Sequence, residues 1–316
     1  MKTKVWQMFI LGCDNLDIAL SKGLGGVIFF TKDIKSEKQF ISLISDIKSK
    51  SLIPPFLSID QEGGRVERTD NIRARRLSPK FAFEKGEEFL RNQSNLLSKE
   101  LNKWGLNLNF APCADVNTNP NNPIIGERAF ANNPNDVIKG MNIFIEETRK
   151  NKIIPCIKHF PGHGDAENDS HHMLPQINLS IDEMEKYHIK PFKYAIKKDI
   201  EMIMVAHLHC TCFDKEPIPT SLSYNAINYL RNNLNYNGVI ISDDMVMKGV
   251  AQYGLLEAII KGINVGLDMF IIRNSNAETL FIIEELCKLV EQDKNLQEKV
   301  LNSNRRIKKL KTQYLY

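Results

Sequence analysis

Short apolar runs recur along the 316-residue chain, and each is bounded by Gly, Pro or polar residues. The runs are nearly continuous, which is typical of strands buried on both faces of a parallel sheet. The predicted strands are Trp6–Leu11, Gly26–Phe30, Pro55–Asp60, Leu106–Pro112, Ile153–Phe160, Met202–His207, Gly238–Asp243 and Gly266–Ile272.

Amphipathic segments lie between these runs and predict helices. In the segment 36–50, Phe40, Ile44 and Ile47 fall on one helical face behind Ser36, which is a favourable N-cap. The predicted helices are Ser36–Lys50, Lys85–Lys103, Asn135–Lys150, Ile181–Lys197, Tyr224–Asn233 and Asn276–Glu291, followed by a basic, solvated last helix over Lys294–Lys311.

Strand alternates with helix about eight times without a break in composition, and this predicts a single (β/α)₈ barrel domain over residues 1–316. A doubly wound open sheet is the alternative. Asp60, Lys158, His207 and Asp243 fall at or near the carboxyl ends of different predicted strands. A barrel gathers such ends around one mouth, whereas an open sheet separates the outer ones.

Composition excludes several classes of protein. The net charge is only +4, from 42 basic and 38 acidic residues, so no nucleic-acid partner is expected. No apolar run approaches the roughly 18 residues of a membrane span, so no membrane partner is expected either. The six cysteines form no C-x-x-C pair, which favours free thiols in the cytoplasm.

The amino terminus resembles a lipoprotein signal, because a basic start precedes an apolar stretch and the box Ile10–Cys13. The apolar stretch is short and is interrupted by Gln7. A first buried strand is the preferred interpretation, since cleavage before Cys13 would remove an element that the fold needs.

The densest polar cluster is segment 158–172, which holds four of the seven histidines. His159 and His163 have H-x-x-x-H spacing, but Pro161 and Gly162 prevent the helix that would place both on one face, so no metal is expected. In the same segment, Asp169 lies two residues before His171. A carboxylate and an imidazole at this spacing suit an acid/base pair near neutral pH. Mutual hydrogen bonding within the loop is the alternative.

Two carboxylates, Asp243 and Asp244, follow a predicted strand directly and should point to different sides. One could face the mouth as a nucleophile, or the pair could instead cap the next helix. The segment 60–68 leaves another strand and turns through two glycines, which brings Arg65 and Arg68 near the same mouth. No G-x-G-x-x-G, P-loop or G-x-S-x-G motif occurs, and no cofactor is expected.

Taken together, six segments resemble the β-N-acetylglucosaminidases of glycoside hydrolase family three, over nearly the whole chain. They read DQEGGR at 60–65, NFAPCADVN at 109–117, GERAF at 126–130, KHFPGHG at 158–164, DSH at 169–171 and SDD at 242–244. The chain looks like the short single-barrel bacterial members that trim muropeptides during cell-wall recycling. Glucosidases of the family are similar around the nucleophile but carry a Glu acid/base in another domain.

The resemblance implies a role for each matching residue. Asp243 is the expected nucleophile, and His171, paired with Asp169, is the expected general acid/base. The expected sugar-binding residues are Asp60, Arg68, Arg128, Lys158, His159 and, less directly, Arg65.

The implied reaction is hydrolysis with retention by double displacement, releasing N-acetylglucosamine from muropeptides. A cytoplasmic monomer is expected. Two alternatives remain open: transfer of the sugar to phosphate, and a non-catalytic sugar-binding protein.

One expectation concerns the backbone. Adjacent residues of a regular strand point to opposite faces, so Lys158 and His159 both reach a sugar only if the strand end is distorted. We therefore predict unusual backbone there, such as a cis peptide at Lys158-His159 or before Pro161.

Overall fold

The strands of the protein close into a parallel barrel, and the computed structural model describes residues 1–166 and 174–316. Within this described part, eight strands form the barrel: β1 (Phe9–Gly12), β2 (Gly26–Phe29), β3 (Phe56–Ile59), β4 (Leu108–Asn109), β5 (Ile154–Phe160), β7 (Met202–Val205), β9 (Val239–Asp244) and β10 (Met269–Ile272). Strand β1 pairs in parallel with β10 and β2, which closes the circle. Each strand overlaps a predicted run, so the barrel is confirmed and the open sheet is wrong.

A small second sheet joins the remaining strands, β6 (Gln176–Ile177) and β8 (His209–Cys210). The His209 amide donates to the Pro175 carbonyl at 2.8 Å. This sheet has no counterpart in the sequence prediction, because strands of two residues are too short to leave a periodic pattern.

The described helices surround the barrel. They are α1 (Lys2–Trp6), α2 (Asp17–Ser21), α3 (Glu37–Lys50), α4 (Pro79–Glu84), α5 (Glu87–Trp104), α6 (Pro134–Lys150), α7 (Ile181–Glu183), α8 (Lys190–Ile196), α9 (Tyr224–Asn228), α10 (Lys248–Ala251), α11 (Leu255–Val265), α12 (Ala277–Gln292) and α13 (Lys294–Tyr314). The predicted cap of α3 is confirmed, since Ser36 Oγ accepts from the Gln39 amide at 3.2 Å. None of the helices in these stretches is long and apolar enough to cross a membrane.

Three details differ from the sequence prediction. The run predicted as a strand from Trp6 begins instead as helix α1, and β1 starts only at Phe9. A short apolar run cannot by itself distinguish a buried helical turn from a strand. The predicted helix 181–197 is interrupted by a π-helical turn at Met184–His188, and the predicted helix 224–233 ends in one at Tyr229–Asn233. Helices α2, α4, α10 and α11 were not predicted.

One buried carboxylate connects three elements of the barrel wall. Asp268, fully buried before β10, forms ion pairs with Arg231 and, at 3.0 Å, with Arg306 of α13. It also accepts the Ile240 amide of β9 at 2.9 Å. Because Arg231 is itself nearly buried, its charge depends on this single carboxylate.

We predict that Asp268→Asn lowers the free energy of unfolding by about 3 kcal/mol, since it leaves the Arg231 charge buried without a partner. Urea denaturation monitored by circular dichroism measures the change. The matched control is Asp14→Asn, which breaks an exposed pair with Lys32 and should cost no more than about 1 kcal/mol. Equal effects of the two substitutions would contradict this account.

Candidate active site

A cavity of about 670 Å³ opens at the carboxyl ends of the barrel strands. That volume lies in the range of small-molecule sites. Five basic side chains and two acidic ones line it together with apolar and histidine residues. The lining residues are Asp60, Val66, Arg68, Ile124, Arg128, Lys158, His159, His163, Pro175, Met204, His207, Asp243, Val246, Met247, Lys248, Gly249 and Arg273.

The floor of the cavity is organised by Glu62, a carboxylate with no exposed surface. Its Oε1 forms an ion pair with Lys158 Nζ at 2.6 Å, and its two oxygens accept from Nε and Nη2 of Arg128, both at 2.9 Å. Burial alone would raise the pKa of Glu62, but the adjacent Arg128 and Lys158 charges outweigh it and hold the pKa below its usual range. Glu62 is therefore ionised and fixes both cations.

Lys158 also donates to a second carboxylate, Asp60 Oδ1, at 2.7 Å. Burial disfavours the ammonium, yet Asp60 and Glu62 together raise the pKa of Lys158 above its ordinary value. Arg68 approaches the other oxygen of Asp60 at 3.8 Å. The Asp60 carboxylate thus faces the cavity between two cations.

A second buried carboxylate, Asp115, orients the imidazoles. Asp115 Oδ2 lies 2.7 Å from His159 Nδ1, and Oδ1 accepts the His163 amide at 2.6 Å. Burial would raise the pKa of Asp115, but the neighbouring His159 more than offsets this and the pKa lies below its ordinary value. With Nδ1 engaged, His159 Nε2 is directed towards Arg128 Nη2, 3.3 Å away.

The backbone at this strand end is unusual, as predicted. The peptide Lys158-His159 is cis although no proline follows it, and Phe160-Pro161 is also cis. Both Lys158 and His159 line the cavity.

The two aspartates after β9 have different surroundings. Asp243 is half-buried and lines the cavity, and its Oδ1 accepts the Asp244 amide at 2.7 Å. Burial disfavours the Asp243 carboxylate, but His159 and His207 lower its pKa below the ordinary value. Asp244 instead pairs with Arg273 Nε at 2.6 Å, which confirms that the two side chains point apart.

His207 lies beside Asp243 and is buried. Its Nδ1 is 2.7 Å from Ser221 Oγ, and its Nε2 has no hydrogen-bond partner among residues 1–166 and 174–316. Burial lowers the pKa of His207 below its ordinary value, and the nearby Asp243 carboxylate partly offsets this. His207 was predicted from the sequence to lie near a strand end, but no role was predicted for it.

Of the predicted site residues that the structure describes, Arg65 is absent from the cavity wall. Arg65 donates to the Pro123 carbonyl at 2.7 Å and to the Ile124 carbonyl, so it ties down the 123–125 loop. Asp169 and His171 lie outside the described residues, and their acid/base pairing stays a prediction.

The only described cluster with metal-ligand atoms close together is Cys113, Asp115 and His159, within 4.8 Å of one another. It differs from the His159 and His163 pair that the sequence suggested. Burial and the adjacent Asp115 raise the pKa of the Cys113 thiol well above its ordinary value, so the ligand that metals prefer, the thiolate, is disfavoured.

Comparison with known proteins decides the family. The family model described as the glycosyl hydrolase family 3 N terminal domain matches residues 5–310. The chain belongs to glycosyl hydrolase family 3.

Family 3 relatives are similar along most of the chain. The β-hexosaminidase A of Pseudoalteromonas piscicida is 33% identical over 92% of this chain, and the β-hexosaminidase of Methylococcus capsulatus is 32% identical over 87%. A solved family 3 β-N-acetylglucosaminidase from Paenibacillus is 26% identical over all of this chain, with a TM-score of 0.92. The chain spans 53%, 83% and 62% of the lengths of these proteins respectively.

The family 3 segments also contain site residues for which no role was predicted from the sequence. Glu62, Asp115 and His163 each lie inside a segment that was singled out, yet none was given a role. A buried acid before two glycines, or shortly after a cis proline, signals an internal counter-charge only once its partner is known. The partners are distant along the chain: Arg128 is 66 residues from Glu62, and His159 is 44 residues from Asp115.

We predict that Glu62→Gln lowers the free energy of unfolding at pH 7 by about 3 kcal/mol, because it leaves two buried cations with too little counter-charge. Since the folded pKa of Glu62 is depressed, the carboxylate stabilises the fold above its unfolded pKa of about 4.5 and progressively less as the pH falls below it. The difference in free energy of unfolding between the unmodified protein and Glu62→Gln should therefore shrink as the pH falls below about 5.

Urea denaturation of both proteins at several pH values measures this dependence. The matched control is Glu216→Gln, at an exposed position, for which we expect no more than about 0.5 kcal/mol at any pH. A Glu62→Gln deficit that stays constant with pH would argue against an ionised Glu62.

Proposed function

We propose that this chain is a retaining exo-β-N-acetylglucosaminidase, and that the barrel over residues 1–316 is its catalytic unit. The observation that carries the proposal is the convergence of an ionised Asp243 with Asp60, Lys158 and His159 on one cavity of sugar-sized volume. Family membership, and the activities for which the relatives are named, support hydrolysis of a β-linked hexosaminide.

In the proposed reaction, Asp243 attacks the anomeric carbon and the bond to the leaving oxygen breaks. His171 gives that oxygen a proton, and Asp169 supports the imidazolium. Water then attacks the glycosyl-aspartate while His171 accepts its proton, which restores the enzyme and releases the sugar with its original configuration. The lowered pKa of Asp243 supports the role of nucleophile, because it is ionised throughout the neutral range.

The proposed sugar contacts follow from the charges of the floor. Asp60 offers carboxylate oxygens to sugar hydroxyls, whereas Lys158, Arg128 and Arg68 donate to hydroxyl or acetamido oxygens. His159 contributes Nε2. Arg65 is better assigned to holding the 123–125 loop than to contacting the sugar.

The finer proposal is that the substrates are N-acetylglucosaminyl muropeptides, trimmed by a cytoplasmic monomer. Its main support is the resemblance to the short bacterial members of the family. Lys248 at the cavity wall adds a cation beyond the floor, which suits an aglycone that carries a carboxylate. All six cysteines have free thiols, in keeping with a reducing compartment.

We predict that the protein releases nitrophenol from 4-nitrophenyl N-acetyl-β-glucosaminide and acts far more slowly on the corresponding glucoside. Asp243→Ala should reduce turnover by about 10⁴-fold or more, because the covalent route is lost. Both are measured by absorbance in phosphate-free buffer. Absence of hydrolysis by the unmodified protein would favour a sugar-binding protein, and sugar 1-phosphate appearing in phosphate buffer would favour transfer to phosphate.

We further predict that Asp169→Asn slows hydrolysis of chitobiose by about 10²–10⁴-fold but affects the nitrophenyl substrate much less in its first step. A good leaving group needs little protonation, so the burst of nitrophenol should persist. Stopped-flow absorbance and sugar release measure the two steps. Asp182→Asn, at an exposed position, is the control, and a near-normal rate on chitobiose would remove Asp169 from the mechanism.

A further inference from the structure

A second cavity, here called the basal cavity, lies at the end of the barrel opposite the active site. Its volume is about 710 Å³. Gln7 precedes β1 and Ile53 precedes β3, so the cavity sits at the amino ends of the strands, where helix α13 crosses. The lining residues are Met1, Thr3, Lys4, Gln7, Ile53, Leu301, Asn304, Arg305, Ile307, Lys308, Lys311, Thr312 and Tyr316.

The charged side chains that line the basal cavity are all basic. Lys4, Arg305, Lys308 and Lys311 line it, whereas none of its lining residues, all within the described stretches, is an Asp or Glu. A concave surface lined by one sign of charge concentrates counter-ions. The remaining wall is mostly apolar, with Ile53 among its residues.

Lys311 is the unusual member of this set, because only 2% of its surface is exposed. Its Nζ donates to Gln7 Oε1 at 2.9 Å and to the Pro54 carbonyl at 2.8 Å, and it lies 5.0 Å from the ring centroid of Phe56. Both acceptors are neutral, and an ammonium has three N–H donors, so one donor remains. Burial lowers the pKa of Lys311 to about 7.

Other buried cations of this protein contact carboxylates. Lys158 contacts two carboxylates, and Arg128 and Arg231 each contact at least one. No carboxylate oxygen in the described part of the chain lies within 4 Å of Lys311 Nζ. A buried cation without a counter-charge is costly, so Lys311 gives up its proton more readily than an exposed lysine, and an anion bound beside it would stabilise the charged form.

We propose that the basal cavity binds a small organic anion, whose acidic group pairs with Lys311 and whose apolar body packs against the wall that includes Ile53 and Ile307. The apolar wall disfavours a bare inorganic ion, which would lose its hydration without gaining apolar contacts. The site is separate from the active-site cavity and does not depend on the function proposed for it.

The test uses 8-anilinonaphthalene-1-sulfonate, an apolar body with one acidic group, and N-phenyl-1-naphthylamine, the same body without the charge. We expect saturable one-site binding of the sulfonate by fluorescence titration, and binding of the neutral probe at least about tenfold weaker. Lys311→Met keeps an apolar side chain of similar length and should weaken sulfonate binding about tenfold or more, the effect of losing one charged hydrogen bond.

The matched control is Lys309→Met, on the same helix but outside the basal cavity, which should change the dissociation constant less than twofold. Circular dichroism checks that each variant is folded. If Lys311→Met does not fold, the double variant Arg305→Met with Lys308→Met takes its place, with the same expected direction. Equal affinity of unmodified and variant protein, equal binding of both probes, or no saturable binding would overturn the proposal.

Discussion

The contact between Glu62 and two cations is the interaction on which the candidate site depends. Lys158 extends from β5, Arg128 comes from the turn after the 117–125 loop, and Glu62 follows β3, so a single buried carboxylate joins three separate parts of the barrel mouth. Because the cluster is buried, each charge is held in place by its partners rather than by water. Donors fixed in this way need little reorganisation when a ligand arrives.

Asp115 is a second buried carboxylate that orients a cavity side chain, here His159. It contacts Nδ1 of His159 and accepts the His163 amide, and His159 Nε2 is then directed towards Arg128 Nη2 in the cavity wall. Lys158 and His159 are adjacent along the chain, yet each is oriented by its own buried acid. The basal cavity presents the contrasting case, a buried Lys311 that has only neutral acceptors.

Sequence patterns predicted the barrel well, because buried parallel strands such as Met202–Val205 are continuous apolar runs whatever their partners. They also predicted the distorted backbone at Lys158, from a simple conflict between strand pleating and two required contacts. They failed where the role of a residue depends on a partner far away along the chain, as for Glu62 and Asp115. They also failed where a strand is too short to show periodicity, as for His209–Cys210 in the small sheet.

The most direct test of the account is a crystal structure of the protein with N-acetylglucosamine bound. The account predicts a pyranose in the active-site cavity, with hydroxyls within about 3.2 Å of Asp60, Lys158 Nζ and His159 Nε2, and with the anomeric carbon facing Asp243. Glu62 should keep its contacts with Lys158 and Arg128. A sugar bound elsewhere, or one whose anomeric carbon points away from Asp243, would contradict the account.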